Sequence, residues 1–338
     1  MSLSGKLLPL HIHPGRDELC SSWLVRLARS HRLKPHTFSS IILPGVEIWT
    51  RDIDRSFKYS LLETLHQKTA TPLEIVYGTT LKSYEGYLAE SINGNGIGKW
   101  VLAQQRYHRT FRKKGVQFCP ICLSLPDGQF YRKKWRLALS VICPIHECRL
   151  LDCCLSCSSP IMYQRTSLAL EGIHFCSVCG SDLSGFTPQP CGKKELACQR
   201  FIYLALDKGW INIPHFGAVY SVSFFEFLHR VLNLLCSSPR RESLIQVLRE
   251  SKAPGDINHL KSIDSRQIEK LNQSDRYLLL QISNWLFEEW PYRFVEVFRR
   301  SRIWRSWLVR DMKNVPYWAE NIILAHLYCP SANEYKII

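Results

Sequence analysis

Long apolar runs are missing from this chain. Stretches such as VSFFEFL and YLLLQI are among its most hydrophobic, and they fall far short of the roughly 20 apolar residues that a membrane-spanning helix needs. The opening MSLSGKLLPLHIHPG lacks the basic and apolar regions of a secretory signal. Acidic residues are scarce: 29 Asp and Glu stand against 44 Lys and Arg, giving a formal net charge of +15. Low-complexity tracts and internal repeats are absent, and a hydrophobic content of 46% with 22% charge excludes a disordered polypeptide. These absences predict a globular, cytoplasmic protein with no membrane attachment. Its 338 residues give room for two or three modest domains.

The usual enzyme signatures are missing too. SINGNGIGKW (91–100) only superficially resembles a phosphate-binding loop, because Asn93 replaces its first glycine and Trp100 its magnesium-binding hydroxyl. It reads as a linker. No His-Glu-x-x-His occurs, and His146-Glu147 lacks the frame of a nucleobase deaminase. No nucleophile–base pair or paired-carboxylate motif stands out, so the chain reads as a non-enzyme.

Fourteen cysteines are present in abundance instead. In a reducing compartment they are expected as metal ligands or thiols, not disulfides. Cys119-Pro-Ile-Cys122 is followed, twenty residues later, by Cys143-Pro-Ile-His146. Cys154-Leu-Ser-Cys157 is followed, eighteen residues on, by Cys176-Ser-Val-Cys179-Gly180. Each C-x2-C or C-x2-H knuckle points two soft donors at one ion, and two knuckles complete a tetrahedron. Both tetrads are closed, so two structural Zn2+ ions are expected rather than a catalytic one with an open position. Gly180 suits the tight turn after the last knuckle. Cys148 and Cys153 fall outside the spacing and read as spare.

The remaining pattern is helical. Asp17 is a plausible cap for DELCSSWLVRLARSHRL, where Cys20, Trp23, Leu24, Leu27, Ala28 and His31 share one face. Pro35 opens a second helix with Phe38, Ile41 and Ile42 on its buried side. A second such group follows: SLLETLHQKTA, TPLEIVYG and TLKSYEGYLAE. Both are compatible with helix-turn-helix units and equally with simple helix packing. Between the first two knuckles, Tyr131, Trp135, Leu137, Leu139 and Val141 can form an apolar strand face. After about residue 195, SFFEFLHRVLNLLC, RRESLIQVLRE, SDRYLLLQISNWLFEEW and RFVEVFRRSRIWRSWLVRDMK read as helices punctuated by Pro214, Pro239, Pro254, Pro291 and Pro316. The expected fold is therefore mainly α with a small two-zinc ribbon. Helix-turn-helix-like helices occupy 1–115, the double zinc ribbon 116–190, and a helical domain 191–338.

The excess positive charge is clustered in three stretches: Arg106, Arg109, Arg112, Lys113 and Lys114; Arg132, Lys133, Lys134 and Arg136; and Arg299, Arg300, Arg302, Arg305 and Arg310, interleaved with Trp304 and Trp307. Such runs suit phosphate contact with DNA or RNA, or a protein partner, and equally a solvated face. The two tryptophans read as core residues.

FCPICL, WRL, CPIH, LLDCCLSCSSPI and CSVCG, with DELCSSWLVRLARSHRL and GKWVLAQQRYHRTFRKKGVQFCP before them, resemble the TniQ/TnsD family of Tn7-like transposition proteins. The resemblance covers roughly the first 180 residues. It implies a target-selection adaptor linking a target-site reader to an AAA+ ATPase regulator that engages the transposase. Family zinc ligands carry over as Cys119, Cys122, Cys143, His146, Cys154, Cys157, Cys176 and Cys179. Shorter members dock, often as homodimers, on a Cascade-like CRISPR effector with its guide RNA; longer members read an attachment site in DNA directly. A tail of 190–338 without a further knuckle fits the shorter type. Such a protein would act at the prokaryotic nucleoid.

Overall fold

Leu19, in extended conformation, opens α1 (Cys20–Ser30), whose face Cys20, Trp23, Leu24, Leu27 and Ala28 is fully buried. Asp17 does not cap it. Its φ of 63° places it in the left-handed region two residues before Leu19, and its carboxylate instead accepts from the Lys134 N–H and the Tyr84 hydroxyl, both at 3.4 Å. Burial pushes the Asp17 carboxyl above its ordinary value, against the pull of Lys133 and Lys134. The computed structural model describes residues 6–94, 96, 98–104, 115–263, 265, 267–310, 312 and 314–328.

The chain forms two compact units, Met1–Glu85 with Ser91–Gln199, and Gly86–Glu90 with Arg200–Ile338. In the first, Pro35 supplies a preset φ at the start of α2 (Pro35–Ile42). Phe38 and Ile42 of α2 join Leu61, Leu62 and Leu65 of α3 (Tyr59–Thr69) and Val76 of α4 (Leu73–Gly78) against the α1 face. Each such large apolar side chain contributes about 1.5–3 kcal/mol by leaving water. Ile41, expected inside, is 45% exposed. TLKSYEGYLAE is not a helix: a 3-10 turn forms at Leu81–Tyr84, a tight turn closed by the Gly86 N–H on the Ala89 carbonyl follows, and Ile92 N–H binds the Glu85 carboxylate across that loop at 2.8 Å. Asn93 and Gly96 are held as well, since the Arg55 guanidinium donates to the carbonyls of both.

The cysteine-rich segment belongs to the same unit. Its elements are short: α5 (Pro120–Ser124) and an antiparallel ribbon of β1 (Ile142–Cys143) and β2 (Cys148–Arg149), paired Ile142 to Arg149 and Cys143 to Cys148. The expected strand through FYRKKWRLALSVI is absent. Lys133–Arg136 makes a 3-10 turn, and every residue from 135 to 141 is buried. The segment is enclosed on both sides, so the apolar alternation marks no free face.

α6 (Lys193–Lys208) leads into the second unit. There the hairpin of β3 (Trp210–Ile213) and β4 (Gly217–Tyr220), which the helical reading missed, precedes α7 (Ser221–Ser237). Around α7 stand α8 (Arg241–Glu250), α9 (Gln273–Glu288), α10 (Tyr292–Arg300), α11 (Arg305–Val309) and α12 (Tyr317–His326). Phe224 and Phe227 of α7, Phe287 of α9, Trp290, Phe294 of α10 and Trp318 of α12 form one aromatic core, with ring centroids 5.0–6.4 Å apart. The expected single helix through RFVEVFRRSRIWRSWLVRDMK breaks at Arg302 (φ 55°). Ile303 N–H bonds the Phe298 carbonyl (2.9 Å) and Arg302 N–H the Arg299 carbonyl (3.0 Å), a closure that tucks buried Ile303 against the helix end. No helix among the described residues is long and apolar enough to cross a membrane.

Candidate metal centres

Two clusters of soft donors are built from these short elements. In the first, Cys119 caps α5 and accepts the Cys122 N–H on its sulfur at 3.5 Å. The Phe118–Leu151 bridge brings this knuckle against the β1–β2 ribbon, where Cys143 ends β1 and His146 sits on the turn. Cys122 and Cys143 Sγ lie 3.7 Å apart. His146 Nδ1 lies 3.4, 3.3 and 3.6 Å from the sulfurs of Cys119, Cys122 and Cys143. In the second cluster, Cys154 to Cys179 and Cys157 to Cys176 are each 3.7 Å. Within each set all four donor atoms fall within 4.8 Å of one another.

These spacings fit a metal ion. Four thiolates at about 2.3 Å from zinc stand about 3.8 Å apart at tetrahedral angles. The donors, three sulfurs with one imidazole and four sulfurs, belong to the soft sets that favour zinc. The structure thus brings together the eight residues singled out by knuckle spacing. Bound there, an ion would cross-link loops that have almost no secondary structure of their own.

The backbone is shaped for this. Three knuckles are followed by a left-handed residue: Glu147 (φ 50°), Ser158 (φ 57°) and Gly180 (φ 75°). Ser158 and Gly180 N–H groups then close back onto the carbonyls of Cys154 and Cys176 at 2.9 and 3.0 Å. Protonation is uneven within each set. Hydrogen bonds from the Cys119 and Cys122 thiols, with the N–H groups of His146 and Ile145, hold Cys143 down to about 2. The hydroxyl and N–H of Ser181 hold Cys179 down to about 6, whereas burial pushes Cys176 up to about 12.

Cys148, expected to be spare, is not remote. It is buried, and its Sγ lies 3.7 Å from that of Cys119. Cys153 is half-buried, bridges through its backbone to Pro160, and is not one of the eight donors. No disulfide forms among the described residues.

The basic stretches fare differently. Arg106, Arg109, Arg112, Lys113 and Lys114 lie outside the described residues. Arg132 is half-buried, stacks over Phe130 at 4.9 Å and donates to the Arg16 carbonyl. Lys133 donates to Ser83 and sits 4.9 Å over Tyr84; Lys134 is half-buried beside Asp17. Arg136 cannot meet a polyanion as expected. It is fully buried, with guanidinium nitrogens 2.5 Å from Asp52 and 2.9 Å from Asp54. Burial alone would lower its pKa, but the two carboxylates outweigh that and hold it above the ordinary value. Desolvation pushes Asp54 up, Arg136 opposing, to about 6. Asp54 also accepts from the Ser21 hydroxyl and N–H, and Ser21 meets the Tyr163 hydroxyl at 2.5 Å. In the second unit Arg299, Arg300, Arg302 and Arg310 are exposed and Arg305 is half-buried. Arg300 pairs with Glu250 at 2.6 Å. Trp304 and Trp307 are half-buried, not core residues as expected.

Residues 9–150 match the TniQ family model, a span that contains the whole first centre and ends before the second. No curated protein matches the chain.

Proposed function

We propose, from the premise of a TniQ-family domain over residues 9–150, that this protein is a non-enzymatic target-selection adaptor in Tn7-like transposition. It would link an RNA-guided, Cascade-like CRISPR effector to the AAA+ ATPase that recruits the transposase. The family match carries the reading, because the family is associated with transposition target selection. The closed donor sets support it: with three sulfurs and an imidazole at one centre and four sulfurs at the other, neither leaves a corner for water, so zinc there would be structural.

Direct reading of an attachment site in DNA is the other role that the resemblance implies. The electrostatics favour the adaptor. Exposed positions of α2 (His36, Thr37, Ser40, Ile41) and α4 (Glu74, Ile75, Tyr77) carry no Lys or Arg, so the second helix of each pair lacks the cationic footprint of a duplex reader. Purified protein tested against duplex alone, then with the guide complex and the ATPase, separates the two roles. The adaptor is expected to join the duplex only through the complex. Tight, salt-sensitive binding to one defined duplex by the protein alone would establish direct reading instead.

A further inference from the structure

The first centre has five candidate donors for four corners. We propose that Cys148 is its stand-by ligand: when the His146 imidazole withdraws, the Cys148 thiolate takes the vacated corner, and a centre of three sulfurs and one nitrogen becomes one of four sulfurs. The inference rests on the reading of this cluster as a metal centre and is independent of the transposition role.

Distance is the first argument. Cys148 Sγ stands 3.7 Å from Cys119 Sγ, the same separation as Cys122–Cys143, Cys154–Cys179 and Cys157–Cys176 within the two donor sets. That is the edge of a zinc–thiolate tetrahedron. Register is the second. Cys148 is the antiparallel partner of Cys143, and directly opposed residues of a ribbon project from the same face, so its side chain leaves the strand on the side where Cys143 reaches the centre. Burial is the third: Cys148 is 3% exposed and enclosed, while His146 is half-buried at the rim. The donor most accessible to solvent is thus backed by a thiol already inside. The main chain of Cys148 is held by Cys143 on one side and by a bridge to Pro190 on the other, so the exchange needs a side-chain rotation rather than a refolded loop.

The exchange balances without a redox partner. The metal–nitrogen bond breaks, a metal–sulfur bond forms, and the Cys148 thiol passes its proton to the departing imidazole or to water. The test uses the full chain loaded with Co2+, with ions counted by elemental mass spectrometry and ligands read from the sulfur-to-cobalt charge-transfer band, which strengthens as thiolate replaces imidazole. Wild-type protein and Cys148→Ser are expected to hold two ions per chain with matching spectra. His146→Ala is expected to keep two ions with a stronger charge-transfer band, and the double variant H146A/C148S to keep one. His146→Gln, which retains a polar side chain at the rim, should repeat the His146→Ala counts if the alanine variant does not fold. One ion in both His146 variants, two ions in the double variant, or one ion in Cys148→Ser would each overturn the proposal. A wild-type chain that binds no ion at the first cluster would instead overturn the metal reading itself.

Discussion

Replacing Arg136 with Met would strand two carboxylates, one of them fully buried. Removing one partner from a buried charge network typically costs about 3–5 kcal/mol. Arg136→Met is expected to lower the unfolding free energy of the first unit, read by denaturant titration, by an amount in that range, and Arg132→Ala, half-buried and stacked on Phe130, by clearly less; equal losses would refute the assignment. The sequence places Arg136 in a basic run indistinguishable from a solvated face. Its destination depends on Asp52 and Asp54, more than eighty positions away. Knuckle spacing, by contrast, is local, and all eight donors were legible from it. Cys153→Ser should therefore leave both metal ions in place, counted per chain. Loss of one ion would place Cys153 among the ligands. Cys148 stays outside the two donor sets, and its closeness to Cys119 is a property of the hairpin that spacing along the chain does not show. Seen across the hairpin, Cys143 and Cys148 are directly opposed.

At the scale of elements, most helix positions and the Pro35 start of α2 are readable, while the points where helices stop are not. Three helix ends carry a basic residue in the left-handed region: Arg32 after α1, Lys252 after α8 and Arg302 after α10. In each the following N–H reaches back to the helix, Leu33 to Ala28, Ala253 to Leu248 and Ile303 to Phe298, all at 2.9 Å. This closure usually advertises itself with glycine; here a basic residue takes its place, and the stop signal disappears from the sequence. Arg302→Gly should relieve the left-handed strain, partly offset by the entropy glycine gains when unfolded, for a net stabilisation of about 0.5–1 kcal/mol. An unchanged or lower unfolding midpoint would contradict that account of the break. The aromatic core of the second unit is the opposite case, since the spacing of Phe224, Phe227, Leu228 and Val231 already marks the buried face of α7. Phe227→Ala should cost about 3–5 kcal/mol, read as a loss of stability that leaves metal content unchanged.

At the scale of the molecule, the 116–190 segment depends on different forces from the helical parts of the chain, α1–α4 included. The second unit is held by helix packing and aromatic burial. The 116–190 segment of the first unit has two two-residue strands, one five-residue α-helix and three 3-10 turns, too little to fold on backbone hydrogen bonds alone. Each structural zinc can add on the order of 10 kcal/mol of apparent binding free energy to such a segment. Complete chelation is expected to make 116–190 protease-sensitive while the second unit keeps its helical circular dichroism, and a segment still protected without metal would count against structural ions. The central claim is target selection, and the most direct test maps insertion sites by sequencing in cells carrying the intact transposon, with this protein present, absent, or crippled by Cys119→Ser and Cys154→Ser together. The adaptor role predicts that insertion at the selected target disappears without the protein and in the double variant. An unchanged insertion profile in its absence would contradict it.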